Sequence, residues 1–264
     1  MFRHKGLLLL LPIIVILVSG CTGSSQQAAD VLTSALNKTS EYTSYTGDYA
    51  LDLDFTAMGQ PFMSASGMFD VWKKGNKNKL AGDFSMTALE QSQSADISVY
   101  YLPDGVYFCS DDDQTCLMHA GSSMPLDVES PEKMIEQLQE LVDEGSVTLN
   151  YLGTKQIAGR TCDNIKAAVN SEKVSESMQS SIPSGLSTPG LEQALQGMSF
   201  YYTICPDQET GIPLEYAMSI NMQTTYEGTI INLNLIMQMT ATSLDVDAAV
   251  LDSEFKLPYP VSSG

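Results

Sequence analysis

The sequence predicts an α+β fold, mainly β: one large, curved antiparallel sheet wrapped around a few helices. Three observations carry this. Roughly ten segments alternate apolar and polar residues with period two, as strands with one dry face do. Turn-forming residues separate them at short intervals. Only two segments carry a firm helical apolar period. A sheet of that size has to curl, and its apolar face needs a cover.

The elements follow in order. Ala28, Val31, Leu32, Ala35 and Leu36 form one helical stripe. Tyr49, Leu51, Leu53 and Phe55 then alternate with Asp48, Asp52 and Asp54, a strand wet on one side. Phe69 and Val71 run into Lys73-Lys74-Gly75-Asn76, a turn, and Leu80, Phe84 and Met86 return. Ile97, Val99 and Tyr101 lead to Pro103-Asp104-Gly105, after which residues 106–109 come back. Ser130 is placed to cap a second helix opened by Pro131, with Met134, Ile135, Leu138, Leu141 and Val142 as its stripe and Gly145 as its stop. Strands resume over 147–151 and 160–169. Residues 171–197 are rich in Ser, Met and Gln and are broken at Pro183 and Pro189. They predict two short helices, the second carrying Leu191, Ala194 and Leu195. Three strands finish the sheet: Phe200, Tyr202 and Ile204; then Leu214, Tyr216, Met218, Ile220 and Met222; then Ile231, Leu233, Leu235, Met237 and Met239.

The front of the chain is built as an export signal. Arg3, His4 and Lys5 form a basic head, Gly6 to Val18 is almost unbroken apolar sequence, and Val18-Ser19-Gly20 ends directly on Cys21. The arrangement resembles a lipoprotein lipobox. A cysteine in the first mature position can carry a diacylglyceryl thioether, so Cys21 is the expected lipidation site. The apolar run is short for a span, which takes about 20 residues. The expected organisation is a signal peptide over 1–20, a lipidated tether over 21–27 and a single domain over 28–264. The address is then the outer face of the cytoplasmic membrane, reached through the lipid anchor.

Composition excludes some roles. The chain carries 32 acidic against 13 basic residues, and loss of Arg3 and Lys5 with the signal makes the mature part more acidic still. Nucleic acid is an unsuitable partner, because phosphates must be neutralised by Lys and Arg. Setting Cys21 aside leaves Cys109, Cys116, Cys162 and Cys205, an even number in an exported chain. Of three connectivities, Cys109–Cys116 and Cys162–Cys205 are favoured: the first closes a short acidic hairpin, the second joins two strands. No metal site is expected, since Cys162 and Cys205 lack near partners of metal-ligand spacing, and no cofactor motif occurs.

Residues 28–259 resemble, in order of elements, the lipoprotein-carrier superfamily of LolA, LolB, LppX and the RseB N-terminal domain. The residues that carry the resemblance are the N-terminal helix, the turn Val71-Trp72-Lys73-Lys74-Gly75-Asn76, the segment Gly159-Arg160-Thr161-Cys162 and the ending Glu254-Phe255-Lys256-Leu257-Pro258. The resemblance implies a half-open β-barrel with a helical lid that holds acyl chains or a lipidated partner. Soluble carriers of that family are not lipidated and latch their lid with an arginine. Arg160 is the only arginine of the mature chain and has no evident place in that role.

Candidate lining residues are Leu51, Leu53, Phe55, Phe84, Met86, Val99, Tyr101, Tyr216, Met218, Ile220, Leu233, Leu235 and Met237, with Met178, Leu191 and Leu195 as lid candidates. The chain has 14 methionines, a flexible residue suited to surfaces that repack around varied apolar ligands. No catalytic residue is expected: His119 lacks a flanking motif, and Asp111-Asp112-Asp113 lacks calcium-loop spacing. The sequence thus points to a monomeric, membrane-anchored, non-enzymatic lipoprotein that binds a lipid or lipidated partner. The alternative is an envelope sensor or interaction module with a filled interior.

Overall fold

The computed structural model describes residues 11–88, 91–119, 131–170, 198–226 and 229–262. Helix α1 spans Leu11–Thr39, and strands β1 (Ser44–Ala57), β2 (Gln60–Lys74), β3 (Lys77–Ala88), β4 (Gln91–Leu102), β5 (Gly105–Ser110) and β6 (Thr115–His119) follow. Helix α2 (Pro131–Asp143) precedes β7 (Val147–Ile157), β8 (Arg160–Val169), β9 (Ser199–Pro206), β10 (Pro213–Tyr226) and β11 (Thr229–Asp245). A 3-10 turn at Asp252–Phe255 leads to β12 (Val261–Ser262).

All twelve strands form one sheet in the order β12-β6-β5-β4-β3-β2-β1-β11-β10-β9-β8-β7. The pairing is antiparallel throughout the eleven long strands; only the short β12 pairs parallel, against Cys116 and Leu117 of β6. The curved, half-open mainly-β architecture expected from the alternation is therefore present, with twelve strands. At Gly82 a Cβ would fall 1.9 Å from the Met68 carbonyl oxygen. Strands β2 and β3 approach there more closely than any side chain permits.

Helix α1 begins earlier than its apolar stripe suggests. Residues 22–27, expected as a flexible tether, lie inside the helix. The reason is local: Gln26, Gln27, Ala28 and Ala29 are all good helix formers, and Gln26 Nε2 donates to Asp30 Oδ1 at 2.9 Å, one turn on. Among the described residues no helix is long and apolar enough to cross a membrane.

The described helices cover the β7–β9 end of the sheet. Ala28, Leu32 and Ala35 of α1 and Ile135 and Leu138 of α2 pack with Val147, Leu149, Ile165, Ala167 and Ile204 of β7, β8 and β9. A second cluster joins Tyr45 and Tyr49 of β1 to Val71, Ile157, Ile212, Leu214, Ala241 and the Cys162–Cys205 disulfide. A third was not apparent in the sequence. On β4–β6, Tyr100, Tyr107 and the Cys109–Cys116 disulfide pack with Leu102 and with Leu257 and Tyr259 of the C-terminal segment. Lys74 and Lys77 hold Asp252, and Lys79 holds Glu254, so this segment is fastened across the outer side of β3.

Candidate ligand-binding face

Directly opposed residues in a ladder share a face of the sheet, so the register decides which side chains converge. Leu51 pairs in turn through Met239, Tyr216, Ile204 and Ile165 to Tyr151, and on its other side through Gly67 to Phe84. Leu53 pairs through Met237, Met218, Tyr202 and Ala167 to Leu149, and through Ala65 to Met86. Phe55 lies in a third row with Leu235, Ile220, Phe200, Val169 and Val147. Leu233 pairs with Ala57 one row further, and Val99 and Tyr101 fall on the same side through Leu80 and Asn78. All thirteen candidate lining residues thus occupy one face, the one on which Ile165 and Ile204 are buried beneath the helices. Met178, Leu191 and Leu195 lie outside the described residues.

Among the described residues this face divides into a part covered by helices and a part they leave open. Across β7–β9 it is buried by α1 and α2. Across β1 to β4 the described helices leave Leu51, Leu53, Phe55, Phe84, Met86, Val99 and Tyr101 half-buried, and on β11 Leu233, Leu235 and Met237 likewise. Met218, between the two parts, is buried.

Aromatic side chains mark the transition. Phe200 and Tyr202 lie edge-on with ring centroids 4.8 Å apart, and Tyr202 and Tyr216 lie tilted at 5.9 Å. Burial pushes the Tyr202 phenol up to about 12 and raises that of Tyr216 further. Both therefore stay neutral in a dry setting, which suits an apolar guest. Phe200 and Tyr202 were legible as alternating strand residues, but alternation alone cannot say that their row runs on into Leu53 and Phe55. Met63, Ala65 and Met239 join the face by the same register.

The opposite face is acidic and wet. Asp48 stands directly across from Asp70, and Asp83 from Asp96. A shallow depression of about 420 Å³ on this side is bordered by Asp52, Ser66, Met68 and Asp83. Among the described residues no group of three or more His, Cys, Asp or Glu is placed to hold a metal.

Arg160 is engaged at the corner of β8, β9 and β10. Its Nη2 donates to Asp207 Oδ2 at 2.8 Å and to Glu209 Oε2 at 3.0 Å. Asp207 also accepts from the Thr210 amide and hydroxyl. Burial works to raise the Asp207 pKa, but the Arg160 and Thr210 hydrogen bonds outweigh it and hold the carboxyl below its ordinary value. The turn they fix seats the end of α1, where Lys38 Nζ donates to the Gln208 carbonyl.

No protein-family model and no curated protein matches the chain. Among solved structures it is similar to the lipoprotein LppX of Mycobacterium tuberculosis, at 14% identity and a TM-score of 0.40, over 87% of this chain and 100% of that one. It is similar to LprF of Mycobacterium bovis at 12% identity and a TM-score of 0.39, over 87% and 98%. It is also similar to MucB in the MucA/MucB complex of Pseudomonas aeruginosa, at 12% identity and a TM-score of 0.38. That match covers 88% of this chain but 61% of the other, so the chain spans about three fifths of its length. At these identities and TM-scores the likeness concerns backbone course and assigns no ligand, partner or residue role.

Proposed function

We propose that this chain is a membrane-tethered, non-enzymatic binding protein that holds an acyl chain, of a lipid or a lipidated partner, against the open part of its apolar face. The observation that supports it most is the register: thirteen dispersed apolar side chains fall on one side of a curved sheet, and the described helices cover only the β7–β9 end. Methionines at 86 and 237 let that surface adapt to chains of differing shape. A sixteen-carbon chain buried at about 0.8 kcal/mol per methylene gains on the order of 12 kcal/mol before ordering costs. That leaves enough for micromolar binding. The tether is the thioether lipid on Cys21, which places a monomeric unit on the outer face of the cytoplasmic membrane. No cofactor or nucleic acid enters the proposed role.

The test is native mass spectrometry and lipid extraction of the chain purified from membranes. Bound lipid is expected, and Phe84→Gln with Leu53→Asn should deplete it while the thermal midpoint stays within a few degrees. A clean ligand-free mass at every collision energy refutes the proposal and leaves the interaction-module reading in its place.

A further inference from the structure

One end of the sheet carries apolar side chains that folding gives no reason to expose. The β1–β2 hairpin turns at Met58-Gly59, and Met58 has φ of 52° and Gly59 of 76°. Such two-residue loops favour Asn-Gly or Asp-Gly, because the first position is left-handed. Methionine there is both strained and 62% exposed. Close by, Phe55 pairs with Met63 and Thr56 with Pro61, so Phe62 is the extra residue of a β-bulge. A bulge re-aims a side chain; Phe62 is 45% exposed and meets the rim residue Phe55 edge-on at 5.4 Å. The Met58 amide donates to the Asn232 carbonyl at 2.8 Å, tying this tip to β11, where Ile230 is 58% exposed.

Charge is absent from residues 55–69 and 228–244, the stretches of β1, β2 and β11 nearest this end. In a chain with 32 acidic residues, none lies between Asp54 and Asp70 or between Glu227 and Asp245. The N-terminal part of α1 runs toward the same end. A Cβ on Gly211 would sit 2.3 Å from the Ala35 carbonyl, which fixes the last turns of α1 at the Pro213 end of β10. Ala28, further back along the helix, belongs to the cluster with Val147, whose row ends on Phe55. Followed toward its N-terminus, α1 therefore leads from the Pro213 end toward the hairpin tips, and Cys21 lies on that N-terminal part.

We infer that Met58, Phe62 and Ile230 form a bilayer-contacting edge that dips into the apolar boundary of the membrane and brings the open face to its lipid supply. Three protruding apolar side chains on stretches without charge suit a fluid apolar phase, whereas a protein partner would need a complementary pocket. Orientation toward the membrane rests on the tether reading of Cys21; the contact itself does not.

The experiment mixes the full chain with phosphatidylcholine vesicles with and without brominated acyl chains and reads tryptophan quenching. Trp72, twelve residues beyond Gln60 along β2 and hence about 40 Å from the tips, serves as the internal reference. Met58→Trp and Ile230→Trp should each add emission that is blue-shifted and quenched at least twofold more than that of Trp72. Met58→Asn combined with Phe62→Ser should reduce quenching of Ile230→Trp by half or more. Met58→Asn alone should leave the unfolding midpoint unchanged or raised, since asparagine suits that backbone. Tip emission quenched no more than Trp72 overturns the inference, whether the tips are free or face a protein. Lipid retained by the same preparations is read separately: unquenched tips with lipid in the hollow sink only this inference, and quenched tips with an empty hollow sink only the cargo reading.

Discussion

The seat of α1 on the β9–β10 turn can be tested with one methyl group. Gly211 has φ of +76°, and a Cβ there would lie 2.3 Å from the Ala35 carbonyl oxygen and 2.8 Å from Thr39 Oγ1. The Thr39 hydroxyl already donates to that carbonyl at 2.6 Å, so neither atom is free to yield. Gly211→Ala therefore combines two costs. Left-handed backbone disfavours alanine by about 1–2 kcal/mol. Overpacking against fixed backbone adds roughly 1–3 kcal/mol. Gly75→Ala is the control, because Gly75 has φ of +59° with nothing within 4 Å of its Cβ position, so only the first cost applies. Urea unfolding followed by circular dichroism, with disulfides intact and an unchanged m-value, should give a loss of roughly 2–5 kcal/mol for Gly211→Ala and about 1–2 for Gly75→Ala. Equal losses would refute the tight seat. The wall of the apolar face built by α1 would then be a loose covering.

Three further outcomes are expected. Asp207→Asn should cost about 3 kcal/mol at pH 7, since it leaves a partly buried Arg160 with the exposed Glu209 as its remaining carboxylate partner; the folded pKa of Asp207 is lowered, so its contribution is present above the unfolded carboxylate range and lost as pH falls through the folded value, and acid titration of the variant should be less steep there. Asp96→Asn should act in the opposite sense: the hydrogen bond and repulsion from Asp83 raise the Asp96 pKa, its ionised form opposes folding, and the variant's midpoint should exceed that of the parent at pH 7 with the gap closing toward pH 4. Replacing Cys162 and Cys205 by alanine should cost roughly 4 kcal/mol and replacing Cys109 and Cys116 roughly 2, since the sequence separations are 43 and 7 and loop entropy grows with the logarithm of length. The reverse order in chemical denaturation would contradict the entropic account.

Much of this fold could be read without coordinates because period-two alternation is a local property. Tyr49 to Phe55 and Leu214 to Met222 declare a dry side within a few residues, whichever strands lie beside them. Helix α2 was equally plain, with Ser130, Pro131 and Gly145 bounding one stripe. The start of α1 was not: an apolar stripe begins at Ala28, yet helix propensity in Gln26 and Gln27 carries the coil further back. The C-terminal segment was missed for a related reason. Leu257 and Tyr259 have prolines beside them and no period, so nothing in their own neighbourhood tells that they cover Tyr100 and Tyr107.

Taken alone, the chain settles its class, its strands and its acidity, since each depends on residue type and near spacing. Which dry sides merge into one surface depends on pairing between residues as distant as Leu51 and Met239, and on the close approach of β2 and β3 that Gly82 permits. Where the described helices stop, and hence how much of that surface they cover, is fixed by contacts such as Ala35 with Gly211. Those are long-range choices among many possible ladders, and only the folded chain makes them.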